Sequence, residues 1–252
     1  MTRESGGGEP VKGYFRKIRS DYQRSVERET IAGVHRRTRE VIEPALRGVV
    51  LDLGSGGVTE YRTGRIDFLV SMDNVLDFLK NSRNESAAEV CGDVTAIPLR
   101  GASVDFIIMQ FVLHHLTAAS YGLNVRNVVA AAAEASRILK PGGAIFLIDS
   151  LAPSALERLQ VWSYAVSHAA LRALGKPMVF FFSPAHLARI LERSGLRVDL
   201  ALPIDWGSMT EASQALFPWL RFPLRYTPMR CVLIAARRGE RSPESAPSPG
   251  RP

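Results

Sequence analysis

Apolar residues gather in short, dense runs, and the stretches between most of them carry a helical period. Residues 49–53, 68–72, 88–91, 104–109 and 144–148 are mostly apolar runs of four to six residues. Runs of this kind suit strands buried on both faces of a parallel sheet, because a strand with one solvated face would alternate. Strands alternating with helices predict an α/β fold whose sheet is covered on both sides. Before the first run, residues 11–47 read as a helical cap in two segments. Its intermittent apolar stripe comprises Tyr14, Phe15, Ile18, Tyr22, Val26, Ile31, Val34, Val41 and Ile42. Residues 1–10 are polar and glycine-rich and predict disorder.

The pattern changes after the fifth run. Residues 154–174 read as one long helix, with Ser154 and Glu157 spaced as a capping box and Gly175 just beyond its end. Residues 151–182 therefore predict a helical insertion. Ser183 is placed to cap a further helix, with Pro184 at its first position and Gly195 at its end, leading into a sixth strand over residues 196–202. Residues 229–236 read as the last strand, and the Pro/Ser/Glu-rich residues 238–252 as a disordered tail. The main domain is expected to span residues 48–237.

Composition agrees with one globular domain. The chain has 252 residues, 46% of them hydrophobic, with mean hydropathy near zero, enough for a sizeable core. There is no apolar leader at the N-terminus, and no apolar run reaches the roughly 18 residues of a membrane span. A soluble, cytoplasmic protein is the expectation. Cys91 and Cys231 lack metal-like spacing and are expected to be packed thiols; no His, Asp or Glu cluster has metal spacing either. The net charge of +7 sits mostly at the ends: residues 1–47 carry 11 basic and 7 acidic groups, and residues 237–252 carry 4 and 2. That leaves about +1 on the core, too little to surround a site with the phosphate contacts that dominate nucleic-acid affinity. Nucleic acid is an unlikely partner.

The most specific chemistry lies where the first run breaks into glycines, at Asp52-Leu53-Gly54-Ser55-Gly56-Gly57. Glycines after a buried strand let the backbone turn sharply and approach a ligand closely. Asp73 follows Asp52 by 21 residues, which places a carboxylate at the end of the neighbouring parallel strand, where ribose hydroxyls can be gripped. This pairing predicts a nucleotide-type cofactor site. A nicotinamide fingerprint needs a third small residue where Thr59 stands, so a dinucleotide is disfavoured.

The glycine run resembles the first motif of class I S-adenosylmethionine (SAM) methyltransferases, with Asp52, Gly54 and Gly56 in place. Gly92-Asp93-Val94 is similar to that family's adenine-binding segment, and residues 103–110 to its fourth strand. Leu113-His114-His115-Leu116 is similar to the helix that follows, and Arg137 to Gly143 to the turn before strand five. These motifs cover roughly residues 48–150, and the nearest likeness is to small-molecule methyltransferases of the quinone-biosynthesis kind. The resemblance implies a Rossmann-like, mostly parallel seven-stranded sheet, its last strand inserted antiparallel beside strand six, and SAM as cofactor. It also implies ribose contacts from Asp73 with Asn74 beside it, adenine contacts from Asp93 and Val94, and a methionine moiety near Gly54, Ser55 and Gly56. Asp52 would orient that loop.

Methyl transfer chiefly requires the nucleophile held in line, about 3 to 3.5 Å from the methyl group, with water excluded. Gln110 closes strand four at the crevice, where its carbonyl could meet the cofactor amine. If a base is used, His115 is the first candidate and His114 the second. Asp149 also faces the crevice, and His168 is a lesser possibility. Tyr22 is a candidate for the cofactor carboxylate. All three tryptophans, with Phe180, Phe181, Phe182, Phe217 and Phe222, fall between residues 162 and 226, which suits a pocket for a flat or greasy small molecule, ordinary core, or a homodimer face. The reading is methyl transfer to a small, partly apolar acceptor in specialised or quinone-like metabolism. The alternatives are a cyclase- or decarboxylase-like use of the same fold and a non-catalytic binding partner.

Overall fold

The computed structural model describes residues 12, 13, 16, 29–59, 61–80, 82, 88–205, 210–212, 221–223 and 226–239. Tyr14, Phe15, Ile18, Tyr22 and Val26 of the N-terminal stripe, together with Trp206, Phe217 and Trp219, lie outside these residues, as do residues 1–10 and 240–252.

In chain order the elements are α1 (Glu29–Ile42), β1 (Gly48–Leu53), β2 (Ile66–Asp73), α2 (Leu76–Leu79), β3 (Ala88–Cys91), β4 (Val104–Gln110) and α3 (Tyr121–Ile138). There follow β5 (Leu139–Leu151), α4 (Ser154–Ala173), α5 (Pro184–Arg193), β6 (Leu196–Ile204), β7 (Thr210–Ala212), β8 (Arg221–Pro223) and β9 (Arg230–Arg238). Seven strands form one sheet in the order β3-β2-β1-β4-β5-β9-β6. The neighbours from β3 to β5 run parallel, while β9 lies between β5 and β6 and is antiparallel to both. Strand order reverses beside β1, so the carboxyl ends of β1 and β4 flank the crevice where open α/β sheets bind ligands.

Both faces of the central strands β1, β4 and β5 are largely buried, which is why they are mostly apolar, whereas the edge strands β3 and β6 are largely exposed. Leu51, Leu53, Met72, Ile107, Ile145 and Leu147 face one core together with Val128, Ala131 and Ala135 of α3 and Leu187, Ile190 and Leu191 of α5. Val50, Leu69, Ile108, Phe146, Ile148 and Leu233 face a smaller core with Ile42 and Leu46 at the end of α1. Ser183 caps α5 as its sequence suggested, its Oγ accepting from His186 N–H at 3.4 Å. Gly195 sits just past the helix at φ +82°, where a side chain would be strained.

Several expectations are corrected. Ser154 is the first helical residue rather than the cap, which falls on Pro153, and no capping box forms. Glu157 turns inward instead, accepting from Ser183 N–H at 3.1 Å and pairing with His186 Nδ1, so it fastens α4 to α5. Strand five starts at Leu139, well before the apolar run. Its pairing with β4 jumps from Val104↔Leu139 to Phe106↔Ala144, so the intervening Pro and Gly residues bulge out of the ladder. Leu113 to His115 form only one 3-10 turn, and the long helix over this part of the sheet starts at Tyr121. The stretch between β6 and β9 contains the β7–β8 hairpin. Cys91 is exposed rather than packed, whereas Cys231 is buried and its thiol is pushed well up by that burial. Among the described residues no helix is long and apolar enough to cross a membrane, and no group of His, Cys, Asp and Glu could hold a metal ion.

Candidate active site

The bend after β1 begins on backbone bonds. Gly54 N–H donates to Met72 O at 2.7 Å, tying the bend to β2, and Val58 N–H donates to Ser55 O at 3.1 Å. Gly54, Gly56 and Gly57 all take positive φ, at 71°, 58° and 74°. A helix does not follow; among the described residues from 54 to 65 there are only turns.

Two carboxylates hold this bend from opposite ends. Asp73, at the end of β2, accepts from Gly56 N–H at 3.0 Å through one oxygen and from Val75 N–H at 2.8 Å through the other. It is buried, and loss of solvent raises its pKa against the opposing pull of the Val75, Gly56 and Asn74 amides. Each oxygen keeps a further lone pair. Asp52 is 3% exposed and points to the α1 side of the sheet, where it accepts from the Tyr61 hydroxyl at 2.8 Å. Burial and the neighbouring carboxylate push the Tyr61 hydroxyl far above its usual pKa, so it stays a donor. Tyr61 ends the glycine segment, so the pair pins its far end. Nothing in the sequence marks Tyr61, since the partners are nine residues apart with no periodic relation.

Asn74 is exposed next to Asp73. One strand over, Gly92 N–H donates to Asp73 O at 3.0 Å, which places Asp93 beside the end of β2. Asp93 is exposed and folds back on Thr95, accepting from its N–H and hydroxyl at 2.8 Å each, while Val94 is buried in the larger core. Gln110 closes β4 with its Oε1 buried and, among the described residues, without a hydrogen-bond partner. A buried carbonyl oxygen left unpaired costs about 1 to 3 kcal/mol, so this atom fits a donor brought by a ligand. Phe111 follows at φ +54°, a strained value for a bulky residue, and its N–H donates to Ile148 O at 2.8 Å.

That turn delivers both histidines, into different surroundings. His114 Nδ1 lies 2.6 Å from Asp149 Oδ1, and since a carboxylate can only accept, Nδ1 carries the proton and Nε2 is left as the ring's acceptor. Asp149 is 1% exposed and also accepts from Leu113 N–H at 2.9 Å and Ser150 N–H at 2.7 Å. Phe181 stacks on the His114 ring with centroids 5.6 Å apart, and Phe111 meets it edge-on at 6.5 Å. Gln160 of α4 clamps the Phe181 backbone on both sides, each bond 3.1 Å long. His115 has its Nδ1 buried, and desolvation, with His114 adding to it, pushes its pKa well below the usual value. It is neutral but a weak base.

His115 should make stability pH-dependent. The unfolded chain protonates it near pH 6.5 while burial resists protonation in the folded chain, so stability should fall as pH drops below about 6.5. His115→Gln should flatten that slope between about pH 6.5 and 5 in urea titrations; an unchanged slope would assign it to other groups.

The aromatic belt divides by position. Phe180 and Phe182 are fully buried core, Phe181 flanks His114, and Trp162 is 84% exposed on the outside of α4. His168 stacks on Tyr164, away from the pair just described.

A seven-stranded sheet with one antiparallel strand, a glycine bend after β1 and acids ending β2 and following β3 match the architecture of Rossmann-like methyltransferase folds. Residues 51–147 match the family described as the methyltransferase domain. The biotin biosynthesis bifunctional protein BioHC of Cellvibrio japonicus is 30% identical over 118 residues, 44% of this chain and 21% of that protein. The chain thus spans about a fifth of that curated relative. Among solved structures, a chain in complex with the Haloferax volcanii Trm112 methyltransferase activator superposes with a TM-score of 0.66 at 17% identity, covering 92% of this chain and 99% of its own. The Burkholderia thailandensis 1,6-didemethyltoxoflavin-N1-methyltransferase, solved with 1,6-didemethyltoxoflavin and S-adenosylhomocysteine, gives 0.57 at 15% identity, covering 92% and 88%. These likenesses establish the fold.

Proposed function

We propose that this chain transfers a methyl group from SAM to a small, partly apolar acceptor in a biosynthetic pathway, with His114 as the base. The observation that carries the reading is the buried pairing of His114 with Asp149 at the same sheet edge as the glycine bend. SAM supplies a sulfonium-activated methyl group, and what falls to the chain is binding, alignment and removal of a proton. Asp73 would take the ribose hydroxyls on its remaining lone pairs, with Asn74 alongside, and Asp93 and Val94 would border the adenine. Gln110 Oε1 would accept from the cofactor amine, and Gly54, Ser55 and Gly56 would approach the methionine end. Asp52 acts at a distance, through Tyr61.

Asp149 orients the His114 ring and stabilises the imidazolium formed when Nε2 accepts the acceptor's proton. Phe111 and Phe181 exclude water around that ring and offer flat apolar walls. The 1,6-didemethyltoxoflavin bound to the Burkholderia protein and the biosynthetic role in the name of the Cellvibrio relative both favour a small-molecule acceptor.

Calorimetry with S-adenosylhomocysteine and mass analysis after incubation with SAM and a panel of hydroxylated aromatics test the proposal. Expected are binding that Asp73→Ala weakens by about 1.5 to 3 kcal/mol, the scale of lost charge-assisted hydrogen bonds, and a product heavier by one methylene with equimolar S-adenosylhomocysteine. SAM recovered intact beside a rearranged product would replace methyl transfer by a cyclase-like reaction. No binding at millimolar ligand would leave a non-catalytic partner.

A further inference from the structure

The outward face of α4 is apolar where solvent would ordinarily select polar residues. Leu159 is 56% exposed, Trp162 84% and Val166 75%, and the helix also exposes Ala155, Ala165, Ala169, Ala170 and Ala173. Leu174, at the end of the helix, is 58% exposed. The spacing of Leu159, Trp162 and Val166 puts them on one stripe of the helix. Charge on this face has one sign. Arg158 and Arg172 are exposed on the helix and Lys176 follows it, whereas the helix's one acid, Glu157, is buried against Ser183 and His186. From Ser150 to Leu191 the sequence has four lysines and arginines and no other acid.

We propose that α4 docks this protein on an anionic lipid surface, lying along it with Trp162 and its neighbours in the headgroup region and Arg158, Arg172 and Lys176 against lipid phosphates. A stripe of Trp, Leu and Val edged by arginines and lacking exposed acids is the pattern of interfacial helices. Charge also decides against a second copy of the chain as the occupant. Antiparallel pairing of two such helices about Ala165 brings each Arg158 beside the other's Arg172, and parallel pairing sets like against like, with no acid to neutralise either. A negatively charged surface meets both arginines favourably. The inner face of the same helix holds Phe181 through Gln160, so docking would bring the His114 wall to about one helix diameter, roughly 10 Å, from the lipid. An apolar acceptor could then pass from the lipid phase to the site. Docking itself is read without SAM or acceptor, so its failure is separable from that of the methyl-transfer reading.

The test is co-sedimentation of the full chain, at about 0.1 M salt, with vesicles of phosphatidylcholine alone and with about one third phosphatidylglycerol. Binding is expected to be at least about tenfold tighter to the anionic vesicles, with Trp162 fluorescence shifting to the blue. Arg158→Glu with Arg172→Glu should weaken it by at least about 25-fold, taking about fivefold for each basic residue at the surface, and Trp162→Ala at least about fivefold. Both variants sit at exposed positions, and an unchanged circular dichroism spectrum shows that they fold. The proposal is overturned if the chain stays in the supernatant with both vesicle types, or if it elutes as a dimer that Trp162→Ala dissociates, which would make the face a protein interface.

Discussion

Replacing His114 by alanine is expected to lower kcat for methyl transfer by about 10² to 10⁴-fold, the usual contribution of a positioned base. The cofactor end should not notice. Asp73 and the glycine bend are held to each other and to β2, so S-adenosylhomocysteine affinity should stay within about threefold. The pH profile separates a base from a packing residue. Because Nε2 must be unprotonated to accept, the wild-type rate should rise with pH on an acid limb that is absent from the variant. Asp149→Asn should also slow the reaction by reversing the tautomer. It should cost stability too, since the lost carboxylate accepts from Leu113 and Ser150. A kcat within threefold of wild type for His114→Ala, measured as product formed under saturating SAM, would remove the base from the mechanism.

Gly54→Ala should destabilise the fold by about 2 to 5 kcal/mol and abolish cofactor binding at micromolar ligand. Two separable costs contribute. A left-handed φ of +71° costs an L-residue about 1 to 2 kcal/mol, and the added Cβ would lie 2.4 Å from Val112 Cγ2, an overpacking worth about 1 to 3 kcal/mol. Val112→Ala removes the second cost but not the first. In urea unfolding, the double variant should therefore show a favourable coupling of about 1 to 3 kcal/mol relative to the sum of the singles. Additivity would mean that the backbone angle alone excludes alanine, and a Gly54→Ala protein with unchanged stability would refute the bend as described.

The parts of this molecule legible in the sequence are those that rest on local rules. The runs at residues 49–53 and 104–109 became β1 and β4 within one residue at each end, since a strand buried on both faces has no freedom to be polar. Ser183, Pro184 and Gly195 bounded α5 because caps act over three or four residues. Ser154 and Glu157 obeyed the same local rule and were overridden, because Ser183 N–H and His186 offered the carboxylate partners from a distant segment. The site divides the same way. Glycines and strand-end acids announce themselves through spacing along one chain segment. The pairing of His114 with Asp149 spans 35 residues and depends on the register of β4 against β5, and His115 looks equally good until its desolvation is known. Tyr61 and the strained Phe111 had no signal at all, one being an ordinary tyrosine in a loop and the other an ordinary phenylalanine after a strand.

The short segment joining α4 to α5 touches the two halves of the crevice very unequally. Phe180 N–H donates to the His114 carbonyl at 3.0 Å and Phe181 covers the imidazole, while among the described residues the glycine bend is bonded to β2 and to itself, with Tyr61 holding Asp52. Sequence drift in residues 176–182 would therefore be expected to alter the acceptor side of the proposed site more than its cofactor side. Descendants of one ancestor would be expected to diverge in acceptor first.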